Sequence, residues 1–118
     1  MKQFRIEKMV LDQLSESVQV LVEKNYFSDE DYAVSYITDI VRFFQLNIDH
    51  MVVKTAPTYF KRYCVMTTDL KYVSYRKNRL TTWYAFFEEY DDFISIVHLN
   101  NNHVIGHLLE INQQTKNN

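Results

Sequence analysis

The chain has 118 residues with one glycine and one proline, whereas average usage of roughly 7% and 5% would give about eight and about six. This scarcity excludes phosphate-cradling and dinucleotide-binding loops, which need several glycines for positive φ or for close backbone approach. The net charge of −2 hides an uneven distribution, since the net charge is −4 over residues 1–53, +6 over 54–80 and −4 over 81–118. A basic middle segment can attract an acidic partner or a phosphate backbone, or it can simply protect a hairpin edge against aggregation.

Length and composition indicate one domain. With 47% hydrophobic residues, a chain of this size can fill a single core, and we expect a domain over residues 1–111 and a polar tail over 112–118. No apolar run approaches the roughly 20 residues of a membrane span, and the start of the chain is too charged for a signal peptide. We therefore expect a cytoplasmic protein that does not enter a membrane.

Two amphipathic helices are predicted in the first half. Apolar residues recur at helical spacing over 6–24 and again over 33–48, with a turn at 25–27 and a short strand before the first helix. Ser28 and the three acidic residues that follow it are typical of a helix N-terminus. The aromatic residues of the second helix are interpreted as core that packs against a sheet.

The second half reads as β-structure, because β-branched and aromatic residues crowd into short runs separated by polar clusters. Strands are predicted over 63–67, 70–76, 80–88 and 93–99. In the last of these, alternation places Val97 with Leu99 on one face and Ile96 with His98 on the other. Short connections favour antiparallel hairpins. The fold class is therefore α+β, with two N-terminal amphipathic helices packed on a C-terminal antiparallel β-meander of three to four strands.

Three histidines, His98, His103 and His107, invite a chemical interpretation near the end of the last strand. Their spacing matches no metal-binding pattern, so no metal is predicted. A histidine just past a strand end can serve as a general acid or base, although it can equally be a turn residue that only forms hydrogen bonds. Cys64 lies in an apolar run, where a free thiol usually behaves as a small buried hydrophobe, and a single cysteine cannot form an internal disulfide.

The basic hairpin is the second candidate site. Arg76, Lys77 and Arg79 alternate with Tyr72, Tyr75, Trp83 and Tyr84 around the predicted turn. Single-stranded RNA binders combine cations, which hold the backbone, with rings on which unstacked bases lie. Most of these rings could instead belong to the core of the sheet.

The order of elements resembles the RelE/ParE superfamily of small toxins over residues 4–109. The most specific part is the aromatic strand at 81–88 followed by the hydrophobic strand and polar end at 93–103. The family's Tyr-Arg-x-x-Tyr strand corresponds best to residues 80–84. Tyr84 matches the final tyrosine, threonine replaces the arginine, and Arg79 two residues earlier is its candidate substitute. Where the family often has arginine, this chain has Asn101, Asn102 and His103, and His107 or Leu108 falls at the place of the late tyrosine.

This resemblance implies the toxin component of a type II toxin–antitoxin system, acting on RNA as a free or ribosome-associated endoribonuclease. The implied catalytic residues are Arg79 and His103, and the implied RNA-binding residues are Lys71, Arg76, Lys77 and Tyr84. The implied partners are a cognate antitoxin and mRNA or the ribosome, with a homodimer also compatible and no cofactor needed. The alternative is a non-enzymatic interaction module, such as a ParE-like gyrase inhibitor or a protein-binding domain.

Overall fold

The computed structural model describes residues 2–23, 30–67, 69–105 and 109, which form an α+β fold with a five-stranded mixed sheet. The helices are α1 (Lys8–Glu23) and α2 (Glu30–Asn47), with two short 3-10 helices at Ile48–His50 and Thr58–Tyr63. The strands are β1 (Gln3–Ile6), β2 (Lys54–Thr55), β3 (Lys71–Asn78), β4 (Thr81–Glu89) and β5 (Phe93–Asn101). The predicted fold class is thus confirmed at the level of α+β.

The strand order is β1-β5-β4-β3-β2. Strands β3, β4 and β5 form an antiparallel meander, while β1 adds to one edge in parallel with β5 and β2 adds to the other edge. The sheet is therefore larger than predicted and mixed in direction. At the end of β1, the Glu7 amide donates to the Ile96 carbonyl at 3.0 Å, so the contact between β1 and β5 ends there and the chain turns into α1.

One face of the sheet packs against the two helices. The stripe predicted for α2 is confirmed, since Ala33, Ile37, Ile40 and Phe44 are buried in this core together with Ile48. In α1, Val10 and Leu14 are buried as predicted, whereas Met9, which the spacing also places on the apolar stripe, is about half exposed. Residues 24–29, which include the predicted turn and the Ser28 helix start, lie outside the described residues, as does the predicted tail at 112–118.

The other face carries a second core, in which Phe60, Leu70, Tyr72 and Phe86 are buried. The strand predicted over 63–67 is wrong: a 3-10 helix ends at Tyr63, and residues 64–67 form an irregular loop over this face. Tyr63 and Cys64 are apolar because they pack against this second core, whereas Val65 is more than half exposed.

The alternation predicted for β5 is wrong after Val97, because the strand contains a β-bulge. Phe86 pairs with His98, whereas Phe87 pairs with Ile96, so Val97 is the extra residue. After the bulge the faces exchange: Leu99 packs in the helix-side core with Ile96, and Val97 packs in the opposite core. His98 consequently contacts Phe86 and Tyr63, away from Ile96.

Candidate functional site

The β3–β4 hairpin turns at Arg79 and Leu80 without a glycine. The Asn78 side-chain oxygen accepts a hydrogen bond from the Leu80 amide at 3.0 Å, and Arg76 Nη2 donates to the Arg79 carbonyl at 3.1 Å. An asparagine side chain that accepts a hydrogen bond from the backbone two residues later is a common turn device. The hairpin is therefore ordered by its own polar side chains.

The side chain of Asn102 joins the end of β5 to this hairpin through two hydrogen bonds. Its carboxamide oxygen accepts from the Thr82 amide at 2.8 Å, and its nitrogen donates to the Leu80 carbonyl at 3.2 Å. The Asn101 oxygen accepts from the His103 amide at 3.0 Å and starts the helical turn at residues 102–105. His103 is thereby held next to β4, with Nε2 3.1 Å from Thr81 Oγ1.

Replacing Asn102 with alanine should weaken the connection between the end of β5 and the hairpin. Two hydrogen bonds would be lost, and we expect the free energy of unfolding to fall by about 1–2 kcal/mol because each contributes about 1 kcal/mol. Urea unfolding of wild type and Asn102→Ala measures this loss. Asn78→Ala, which removes one hydrogen bond at the tip of the same hairpin, is the matched control, and an equal loss in both variants would contradict the bridging role.

The predicted cations do not form one cluster. Arg76 and Arg79 are exposed at the hairpin, whereas Lys77 lies on the helix side with its Nζ 5.6 Å from the centre of the Tyr36 ring. Lys71 is at the opposite end of β3, roughly 17 Å along the strand from Arg76, and its Nζ is paired with Glu89 at 3.1 Å. Within the described part of the chain, the ion pairs both involve Glu89, so no carboxylate neutralises Arg76 or Arg79.

The aromatic residues around the hairpin are mostly core. Trp83 is buried on the helix side, where its indole nitrogen donates to the Tyr36 hydroxyl at 3.3 Å. Tyr75 stacks on Phe43 with ring centres 3.6 Å apart. Tyr84 is half-buried, and its ring centre lies 6.1 Å from that of Tyr72 at the edge of the second core. Tyr84 is accordingly the flanking ring best placed to meet a base.

A cavity of about 530 Å³ lies at the end of β5. Its walls come from α1, from the 3-10 helix that ends at Tyr63, and from β4, β5 and the turn after β5. The described residues that line it are Gln13, Leu14, Glu16, Tyr63, Trp83, His98, Leu99, Asn100, Asn101 and Val104. Arg79 and His103 are not among them, so the cavity is a feature beside the hairpin and separate from the predicted catalytic pair.

His98 is the most unusual residue of this cavity. It is only 5% exposed, and neither ring nitrogen has a hydrogen-bond partner in the described structure. Its ring stacks on Tyr63 with centres 3.9 Å apart. Burial lowers the pKa of His98 from 6.5 to about 4, because the charged imidazolium would lose its hydration, and the side chain is therefore neutral at pH 7.

Glu88 is the polar residue that sequence reasoning missed. Its carboxylate is 1% exposed and accepts hydrogen bonds from the amides of Val65, Met66 and Thr67, at 2.8–3.3 Å. The Tyr90 hydroxyl donates to the same carboxylate at 3.2 Å. The available signal is the period of β4, which places Glu88 on the face of Phe86. This carboxylate fixes the irregular loop and explains why residues 65–67 do not form a strand.

The described residues provide neither a candidate metal site nor a helix that could span a membrane. No group of three or more His, Cys, Asp or Glu residues that could hold a metal ion occurs there, and Gly106 and His107 lie outside that part of the chain. None of its helices is both long enough and apolar enough to cross a bilayer. Comparison of the chain with protein-family models, with curated proteins and with solved structures gives no match.

Proposed function

We propose that the protein is a RelE/ParE-like toxin that binds single-stranded RNA at the hairpin end of its sheet. The observation that carries the proposal is the pair of exposed guanidinium groups of Arg76 and Arg79, which have no carboxylate partner among the described residues. Exposed, unneutralised cations attract a phosphate backbone, and the neighbouring Tyr84 ring offers a surface for a base. A cognate antitoxin would neutralise the same cations with acidic side chains.

We further propose that His103 makes this site an endoribonuclease. A neutral imidazole can take the proton of a ribose 2′-hydroxyl, whose oxygen then attacks the adjacent phosphorus while the 5′-oxygen leaves and is protonated by water. Arg79 would stabilise the negative charge that develops on the phosphate. The exposed position of His103, beside the hairpin and 3.1 Å from the Thr81 hydroxyl, supports this role because RNA can reach the ring.

The binding step is tested with the double variant Arg76→Ala/Arg79→Ala. We expect its affinity for a labelled single-stranded RNA to fall at least about tenfold, with the slope of log K against log salt reduced by about 1.4, since each lost phosphate contact contributes about 0.7. Fluorescence anisotropy at several salt concentrations gives both quantities. Arg42→Ala is the control, because Arg42 is an exposed cation on α2; equal losses in control and double variant would exclude binding at the hairpin.

The cleavage step is tested separately with His103→Ala. Highly purified wild type should cut RNA, free or on the ribosome, and the variant should bind RNA normally but lose most of the cleavage. Cleavage that persists in both His103→Ala and Arg79→Ala would remove the proposed mechanism.

The non-enzymatic alternative is favoured by one specific observation. Asn101 and Asn102 secure the segment that carries His103, and the His103 ring itself contacts Thr81, which is how a purely structural turn histidine behaves. An interaction module, such as a gyrase-directed toxin or a protein-binding domain, would form a stable protein complex through this end of the sheet. Such a module would not cleave RNA, either free or on the ribosome.

A further inference from the structure

One wall of the cavity at the end of β5 includes a buried imidazole whose hydrogen-bonding capacity is unused. His98 is 5% exposed, and neither its Nδ1 nor its Nε2 has a partner in the described structure. Burying a polar group without a hydrogen bond costs free energy, so native proteins rarely leave both nitrogens of a buried imidazole unpaired. The unmet capacity, in a residue that lines a cavity, points to a bound molecule that supplies the partner.

The remaining walls combine flat rings with amide groups. Tyr63 and Trp83 contribute rings. The Asn100 and Asn101 carboxamide oxygens accept from the amides of Asn101 and His103, respectively, whereas their nitrogens donate to no described residue. A neutral histidine adds one donor and one acceptor. Such walls complement a planar heterocycle that presents donors and acceptors along one edge, as an unstacked nucleobase does.

The charged residues in and around the cavity favour a neutral ring inside it and a phosphate outside it. Among the described lining residues, Glu16 is the one that carries a charge, and its carboxylate repels an anion. The unneutralised cations, Arg76 and Arg79, lie outside the cavity on the hairpin that Asn102 joins to the end of β5. The cavity therefore suits a neutral ring, and the neighbouring hairpin suits the phosphate.

The volume is compatible with this class of ligand. A cavity of about 530 Å³ falls within the roughly 300–1,000 Å³ of small-molecule sites, which is enough for a base and part of its ribose. It opens beside β5 beyond the point where β1 ends at Ile6, so no described strand covers that edge of β5.

We infer that the cavity binds one unpaired nucleobase, with its hydrogen-bonding edge against His98 and Asn100 and its phosphate outside. This inference rests on the proposed RNA-binding function and specifies where a base is held. Because both His98 nitrogens are covered in the structure, the rings around them, Tyr63 first, must shift when the base enters. Trp83 lines the same cavity and is the single tryptophan of the chain, which provides an intrinsic reporter.

The test is a titration of the full chain with adenosine, guanosine, cytidine and uridine, followed by Trp83 fluorescence and by the NMR signals of the His98 imidazole. At least one nucleoside should change both signals in a saturable way, whereas ribose 5-phosphate should change neither. His98→Phe keeps a flat ring but removes both nitrogens, and we expect it to weaken nucleoside binding at least about fivefold, as loss of one hydrogen bond would. The matched control is His50→Phe, which replaces an exposed histidine in the 3-10 helix that follows α2. This variant should bind nucleosides as wild type does.

The outcomes separate this inference from the proposed function. If no nucleoside perturbs the His98 signals while labelled RNA still binds through Arg76 and Arg79, the base site is overturned and the RNA-binding proposal stands. Nucleoside binding in a protein that does not bind RNA would support the cavity site and overturn the RNA-binding proposal. If His98→Phe misfolds, the wild-type imidazole signals decide the result, since a bound base must move them.

Discussion

Replacing Glu88 with glutamine should reduce the free energy of unfolding by about 2–3 kcal/mol, because hydrogen bonds to a charged acceptor contribute more than those to a neutral one. The wild-type carboxylate accepts from three consecutive amides, those of Val65, Met66 and Thr67, and from the Tyr90 hydroxyl. A glutamine side chain has one acceptor oxygen, and its NH₂ group would face N–H donors. At least one of the three amides would then lose its partner. Chemical denaturation of both proteins measures the difference.

The neighbouring residue provides a matched control. Glu89→Gln removes the same charge one position along β4, but Glu89 is partly exposed and pairs with Lys2 and Lys71 at the surface, at 2.9 and 3.1 Å. Exposed ion pairs contribute only about 0.2–1 kcal/mol, so Glu89→Gln should cost far less. Equal destabilisation by the two variants would show that Glu88 does not hold the loop.

Cys64 offers a second readout of the same loop. Burial, followed by the nearby Glu88 carboxylate, raises the pKa of the Cys64 thiol, and the thiolate is the reactive form. Loss of the Glu88 charge lowers that pKa, and release of residues 65–67 uncovers the sulfur. Glu88→Gln should therefore react faster with a thiol reagent at pH 8, whereas Glu89→Gln should react at the wild-type rate.

The regular elements could be predicted because local periodicity dictates them. The apolar spacing of α2 places Ile37, Ile40 and Phe44 on one face, and the structure buries all three. The hairpins follow from short polar connections between aromatic runs. The short strand expected before the first helix is present as β1, but its partner could not be predicted, since β1 pairs with β5, about 90 residues further along the chain, and nothing in a four-residue segment specifies so distant a partner.

The polar features of the candidate site were harder to predict, because each depends on a departure from regular structure. The bulge at Val97 turns His98 away from Ile96 and into the second core, a change that simple alternation cannot show. The separation of three positions between Ile96 and Leu99, which both belong to the helix-side core, is the one sequence signal of it. Glu88 is the last residue of the strand predicted over 80–88, and its role as an acceptor could not be predicted because its donors belong to a loop 21–23 residues earlier in the chain.

Acidification should destabilise the protein through His98. Burial holds its pKa at about 4 in the folded protein, against 6.5 for an ordinary histidine. Between these values the unfolded chain binds more protons than the folded one, so the free energy of unfolding falls as the pH falls. The contribution is fully present above pH 6.5, declines by at most 1.36 kcal/mol per pH unit, and amounts to a loss of about 3 kcal/mol at pH 4.

The comparison that isolates this effect is the difference between wild type and His98→Phe, measured by urea unfolding from pH 7 to pH 4. All other ionisable groups are the same in both proteins, so their contribution to the pH dependence cancels in the difference. We expect wild type to lose about 3 kcal/mol more than the variant over this range, and His98→Leu to behave as His98→Phe does. His50→Phe removes an exposed histidine and leaves His98 in place, so it is the matched control for the loss of one imidazole. Parallel stability curves for wild type and both His98 variants would mean that the imidazole is hydrogen-bonded or hydrated in solution, and such a partner would have to reach it through the cavity at the end of β5.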